Sequence, residues 1–158
     1  MIVLECNNDE LIIKSLGFSR RQISHQRCKG EVVKKVGKLA VAVGIIDEDF
    51  NLNRPREMDS YIEVGKKYPG RKIRLFQKRG DKGKKLIQIS PRIEDWILYR
   101  AKRNRLDPKK FNLPDDPHKL HVIPNLDRHR GFKEFFKKLI DVDEEIKSLR
   151  KWVKETLE

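Results

Sequence analysis

The chain has 158 residues, of which 39% are charged and 37% apolar, and its formal charge is +13. That length suits one domain with a core of its own. No apolar stretch approaches a membrane span, and no basic leader precedes the first apolar run, so a cytoplasmic protein is expected. The excess of Lys and Arg points to a polyanion as partner, most simply DNA or RNA, although charge alone does not separate these from an acidic membrane; no membrane partner is expected.

The first apolar run, Met1 to Leu4, reads as a strand and ends in Glu5, with Asp9 four residues on. Asn8 is a plausible cap for a helix from Asp9 to about Leu16, which Gly17 ends. Ile23 to Arg27 suggests a short second strand, and Gly30 opens a second helix, Glu31 to about Val36, closed by Gly37. Leu39 to Ile46 is a third apolar run and ends in Asp47-Glu48-Asp49. Runs rich in β-branched residues read as strands buried on both faces of a parallel sheet, joined by right-handed crossovers. Ligand sites in such sheets lie beyond the carboxyl ends of the strands.

Residues 50–70 break this pattern with Asn51, Asn53, Pro55, Pro69 and Gly70, and read as an inserted excursion. A hairpin follows: Lys72 to Gln77, a turn containing Gly80 and Gly83, then Leu86 to Ile89. Its turn carries Lys78, Arg79, Lys82, Lys84 and Lys85, either to follow a nucleic-acid backbone or to protect a sheet edge by charge. Ser90-Pro91 predicts a helix start with Pro in the first turn, running to about Arg103 and burying Ile93, Trp96, Ile97 and Tyr99. Residues 106–126 are proline-rich and irregular. Two amphipathic helices follow, one through Phe132, Phe135, Phe136, Leu139 and Ile140, the other carrying Val142, Ile146, Leu149, Val153 and Leu157. The expected division is 1–103 as the catalytic domain, with 104–158 packed on it. Cys6 and Cys28 cannot build a disulfide framework and are expected as buried thiols.

If the strands lie side by side, Glu5, Asp47 and Asp49 converge at one edge. Two carboxylates about 5 Å apart repel by roughly 3 kcal/mol at an effective dielectric near 20. A hard divalent cation relieves that repulsion. The competing reading has these acids capping helix N-termini. A basic chain with one concentrated acidic pocket fits a metal-dependent enzyme acting on phosphodiesters.

The segment Ile2-Val3-Leu4-Glu5-Cys6-Asn7-Asn8-Asp9 resembles the first motif of the TOPRIM family, and Val43-Gly44-Ile45-Ile46-Asp47-Glu48-Asp49 resembles its Asp-x-Asp motif. Cys28-Lys29-Gly30 falls where members place a glycine-bearing turn. The resemblance covers roughly residues 1–100 and is nearest to the small stand-alone nucleases of the overcoming-lysogenization-defect and anti-phage defence type, which are encoded beside ATPases. It implies an α/β fold: a TOPRIM-like, Rossmannoid parallel sheet flanked by helices, with an inserted loop and hairpin and C-terminal helices. It further implies a magnesium- or manganese-dependent nuclease, with an ATPase as a partner. Glu5, Asp9, Asp47, Asp49 and Glu94 would be catalytic. Of these, Glu5, Asp47, Asp49 and Glu94 would hold metal, with Asp95 in reserve for Glu94. Lys29 and the hairpin residues Lys78, Arg79, Lys82, Lys84 and Lys85 would contact nucleic acid, and Lys29, Lys119 or His121 would face the developing charge on phosphorus. Two departures stand out: Cys6 where the first motif usually has Gly, and Leu52 where many members have Gly. The alternative function is a TOPRIM module that binds nucleic acid or a partner without catalysis.

Overall fold

The computed structural model describes residues 1–158. Six strands form one mixed sheet: β1 (Ile2–Leu4), β2 (Ile23–His25), β3 (Ala42–Asp47), β4 (Tyr61–Val64), β5 (Ile73–Lys78) and β6 (Asp81–Ile89). Their order across the sheet is β2-β1-β3-β6-β5-β4. The first four strands in that order run parallel, β5 returns antiparallel to them, and β4, antiparallel to β5, runs in their direction again. The expected parallel sheet and inserted hairpin are thus parts of one mixed sheet, which β5 and β4 extend on one side. The physical reason is the tight β5–β6 turn: a two-residue connection can only reverse the chain.

The helices are α1 (Asn7–Ser15), α2 (Lys29–Lys38), α3 (Ile93–Arg103), the short α4 (Pro117–His121), α5 (Arg130–Val142) and α6 (Glu144–Leu157). Strand residues alternate between two cores, as a period of two requires. Ile2, Leu4, Val43, Ile45, Ile87 and Ile89 face the larger one, with α1, α3, α5 and α6. Val3, Ala42, Ile46 and Leu86 face the smaller one, covered by Val32, Val33 and Val36 of α2 and by Met58 and Tyr61. The C-terminal helices thus share the main core. Gly131 permits their docking, since a Cβ there would stand 1.9 Å from the Phe111 carbonyl oxygen.

Several local expectations are corrected. Cys6, not Asn8, caps α1; Gly37 lies inside α2; and Arg92, not Ser90, caps α3, leaving Pro91 outside the helix. The inserted excursion contains a 3-10 turn (Arg56–Ser60) and strand β4, whose apolar positions are too few for a visible alternation. Lys82, Lys84 and Lys85 belong to β6, because the β5–β6 turn comprises only Arg79 and Gly80. Tyr99 is half-buried beneath the Lys72 ammonium, and Val142 ends α5 exposed. Cys28 is exposed, standing at the mouth of α2, and Cys6 is half-buried; both are free thiols. No helix is long and apolar enough to cross a membrane.

Candidate functional site at the carboxyl edge of the sheet

Parallel pairing of β1, β3 and β6 brings their carboxyl ends to one edge, with Asp47 opposite Ile89. Glu5 leaves β1 there. Cys6 and Asp9 then cap α1 reciprocally: the Cys6 N–H donates to Asp9 Oδ2 at 3.0 Å, and the Asp9 N–H reaches Cys6 Sγ at 3.4 Å. This folds the Asp9 carboxyl back towards Glu5 and buries it to 5% exposure. The capping reading thus applies to Asp9, although its carboxyl still belongs to the acidic group.

Beyond β3 the chain is stitched to the exit of β6. The Glu48 N–H donates to the Ile89 carbonyl at 2.7 Å, and the Asp49 N–H to the Pro91 carbonyl at 2.9 Å. Asp49 adopts φ 39°, a left-handed conformation that Asp tolerates better than most residues. Glu94 enters from the first turn of α3, also 5% exposed, whereas Asp95 turns away to Arg92 at 3.3 Å.

The electrostatics tie these carboxyls together. Burial first, and then the charges of Asp9, Glu94 and Glu5, push the Asp47 carboxyl up to about 9, against a backbone hydrogen bond from Ile93. Asp9 rises to about 6, through burial first, with its cap hydrogen bonds opposing and Glu94 and Glu5 adding. Glu5 is raised by burial and by Asp49, against the opposing charge of Lys29. Lys29 is itself buried and donates from Nζ to the Glu48 carbonyl at 2.7 Å. Glu5, Asp9, Asp47, Asp49 and Glu94 therefore share one field, which the Lys29 charge opposes at Glu5. No three His, Cys, Asp or Glu side chains close around a point as a finished metal cage. An ion held here would keep water or phosphate among its ligands, as magnesium usually does.

Sequence reasoning missed the partners of Glu94. Asn8 Nδ2 donates to its Oε1 at 2.8 Å, and His121 Nδ1, from α4, lies 2.7 Å from the same oxygen. Nothing in the local pattern around His121 signals this contact, which depends on α4 packing against α3. A groove of about 580 Å³ opens beside it, lined by Cys6, Asn8, Glu10, His121, Asn125 and Asp127. On its flank, Glu10 accepts from His25 at 2.5 Å and pairs with Arg20 at 2.9 Å. The Cys6 thiol is pushed upward by burial and then by the Asp9 charge, so it is no ready nucleophile.

The basic hairpin lies elsewhere. Lys84 pairs in register with Ala42, at the start of β3, and Lys78 with Asp81 and Tyr61. The tip is thus at the amino edge, about 26 Å along β6 from the acidic group at 3.3 Å per residue. Lys84 is also paired with Asp81 at 3.0 Å. Of the expected nucleic-acid contacts, Lys29 stands at the acidic edge, and Lys78, Arg79, Lys82, Lys84 and Lys85 do not. Lys119 is exposed on α4, two residues from His121. Comparison of the chain with protein-family models, with curated proteins and with solved structures gives no match, so the geometry of this edge is what a functional reading rests on.

Proposed function

We propose that the chain is a metal-dependent nuclease of the TOPRIM kind, hydrolysing phosphodiester bonds in DNA or RNA. The observation that carries this reading is Asp47, a carboxyl raised to about 9 by burial and by three acidic neighbours. Crowding of this sort opposes folding, and a bound cation is the direct relief. The donors are all oxygens, which suits magnesium or manganese.

Glu5, Asp47, Asp49 and the second oxygen of Glu94 are the residues that would hold the ion. A divalent ion bound there would supply an acidified water and a counter-charge for the phosphoryl oxygens. Asp9 fixes the start of α1 and thereby the direction of Glu5. Asn8 and His121 hold Glu94 through Oε1 and leave its other oxygen to the site. Lys29, with one proton on the Glu48 carbonyl, has two left for Glu5 or a phosphate. An ATPase partner, as in the defence systems this chain resembles, belongs to the same proposal.

Manganese titrated into the protein in a calorimeter should give saturable heat that Asp49→Ala removes, and the same variant should lose magnesium-dependent cleavage of plasmid and RNA while keeping its melting temperature. Full cleavage by Asp49→Ala would end the proposal. The second reading is a non-catalytic nucleic-acid-binding module. It draws on Glu94 and Asp9 both having protein partners already, and it predicts strongly salt-sensitive binding without turnover.

A further inference from the structure

The nuclease reading leaves open which nucleic acid lies over the acidic group and where it is held. The strand order answers part of this. Loops leaving β2, β3 and β4 all emerge at the carboxyl edge, because β4 ends opposite the start of β5, which in turn starts opposite Ile89. Arg27 follows β2 at one end of that edge; Lys66 and Lys67 follow β4 at the other. Lys72 lies between them, just before β5. Arg27 and Lys66 are exposed, and the contact of Lys67 with Glu63 is long, at 3.9 Å. Six strands at about 4.8 Å spacing make this edge about 24 Å wide, room for several nucleotides.

The aromatics decide the kind of strand. Among the Phe, Tyr and Trp side chains only two are exposed, Phe50 at 73% and Tyr68 at 42%, and both belong to this edge. Phe50 follows Asp49 directly. Tyr68 sits between Lys67 and Lys72 and is pinned by its hydroxyl to Glu145 at 2.8 Å, which leaves its ring outside. Cations tracking a backbone, interleaved with exposed rings, make a platform for unstacked bases. A duplex has no free base face to offer them.

We infer that the substrate is a single strand, DNA or RNA, lying across the strand ends. Arg27 holds it on one side of the acidic group and Lys66, Lys67 and Lys72 on the other, with bases stacked on Phe50 and Tyr68. This rests on the nuclease reading for the cation that makes the acidic group tolerable to phosphates.

The test is anisotropy of a labelled single-stranded oligonucleotide and of its duplex on the full chain, with calcium replacing magnesium so that binding is read without cleavage. The single strand should bind at least about tenfold more tightly. Phe50→Ala should weaken it by about fivefold or more while sparing the duplex. The double variant Lys66→Gln/Lys67→Gln should flatten the salt dependence by about 1.4, or about 0.7 per lost phosphate contact. Lys82→Gln/Lys85→Gln, at the far edge, should leave that slope alone. Equal affinity for duplex, an inert Phe50→Ala, or a slope carried by the hairpin pair would each overturn the inference. Cleavage that persists in magnesium while these variants do nothing removes the binding path and keeps the nuclease. Binding as described with no cleavage in magnesium removes the nuclease and keeps the path; no binding at all removes both.

Discussion

Two groups of buried acids sit at the same end of the sheet and are treated in opposite ways. Asp143 and Glu145, at the start of α6, are surrounded by donors. Arg100 Nε gives to Asp143 at 2.7 Å, Asn104 at 2.8 Å and the Ile146 N–H at 2.9 Å. Glu145 takes Trp96 Nε1 at 2.7 Å, the Tyr68 hydroxyl at 2.8 Å and the Lys72 N–H at 3.2 Å. Asp47, by contrast, is crowded by other acids and pushed to about 9. The first arrangement holds α3, α6 and the β4–β5 connection together. In the second, Asp9 caps α1 and Glu94 is bonded to Asn8 and His121, but Asp47 at its centre is set against like charges, which is why it reads as a place where something binds.

The comparison breaks most visibly in stability. Glu145→Ala should destabilise the protein by about 1–3 kcal/mol, because it leaves the buried Trp96 Nε1–H without its acceptor and takes the second of two carboxylates from Arg100, which keeps Asp143; urea unfolding measures this. Asp47→Asn should leave stability unchanged or raise it near pH 8. If Asp47→Asn proves as costly as Glu145→Ala, the two groups are not different in kind.

Next in size is the pH dependence of the metal-free protein. Asp47, Asp9 and Glu5 all have folded values above their unfolded ones, so the native state binds more protons than the unfolded state between about 4 and 9. Stability is therefore greatest near the unfolded values and falls as pH rises, by at most about 1.4 kcal/mol per unit for each proton. Chelator-treated protein should melt at steadily lower temperature from pH 5 to 9. Asp47→Asn should flatten the upper part of that slope, and added magnesium should oppose it. A flat profile in the wild type would contradict the crowding.

A smaller effect sharpens the role of Glu94. His121→Ala removes one of two partners of Glu94 Oε1, and His121 is half-exposed, so the melting temperature should scarcely move. Under the proposed nuclease activity, cleavage should fall by about 10–100-fold, the usual cost of losing a group that orients a metal-binding residue. The smallest change is Cys6→Ser, which keeps a cap on α1 and should alter stability by under about 1 kcal/mol.

Much of this edge was readable from the chain itself. Apolar runs that stop at Glu5 and at Asp47 announce both the strands and the acids at their ends, and Glu94 follows from its place in the first turn of a helix. Other features depend on contacts between distant segments. Cysteine is seldom a cap, so Cys6 concealed the true start of α1. Tyr61 to Val64 is too short to show a strand's rhythm outside the sheet that receives it. Glu145 looks like any acid in a first helical turn until Trp96 and Tyr68 arrive from elsewhere. The basic hairpin misled because charge can be counted along a sequence, whereas the end of the sheet it occupies depends on strand order.

The paired main-chain links from Glu48 to Ile89 and from Asp49 to Pro91 have an engineering consequence. They clamp the segment bearing Asp47 and Asp49 to the strand beside it, so its aim does not depend on what comes after Leu52. Residues 53–55 should then accept inserted length, a reporter peptide or an added binding loop, with the carboxylates still pointing where they do now.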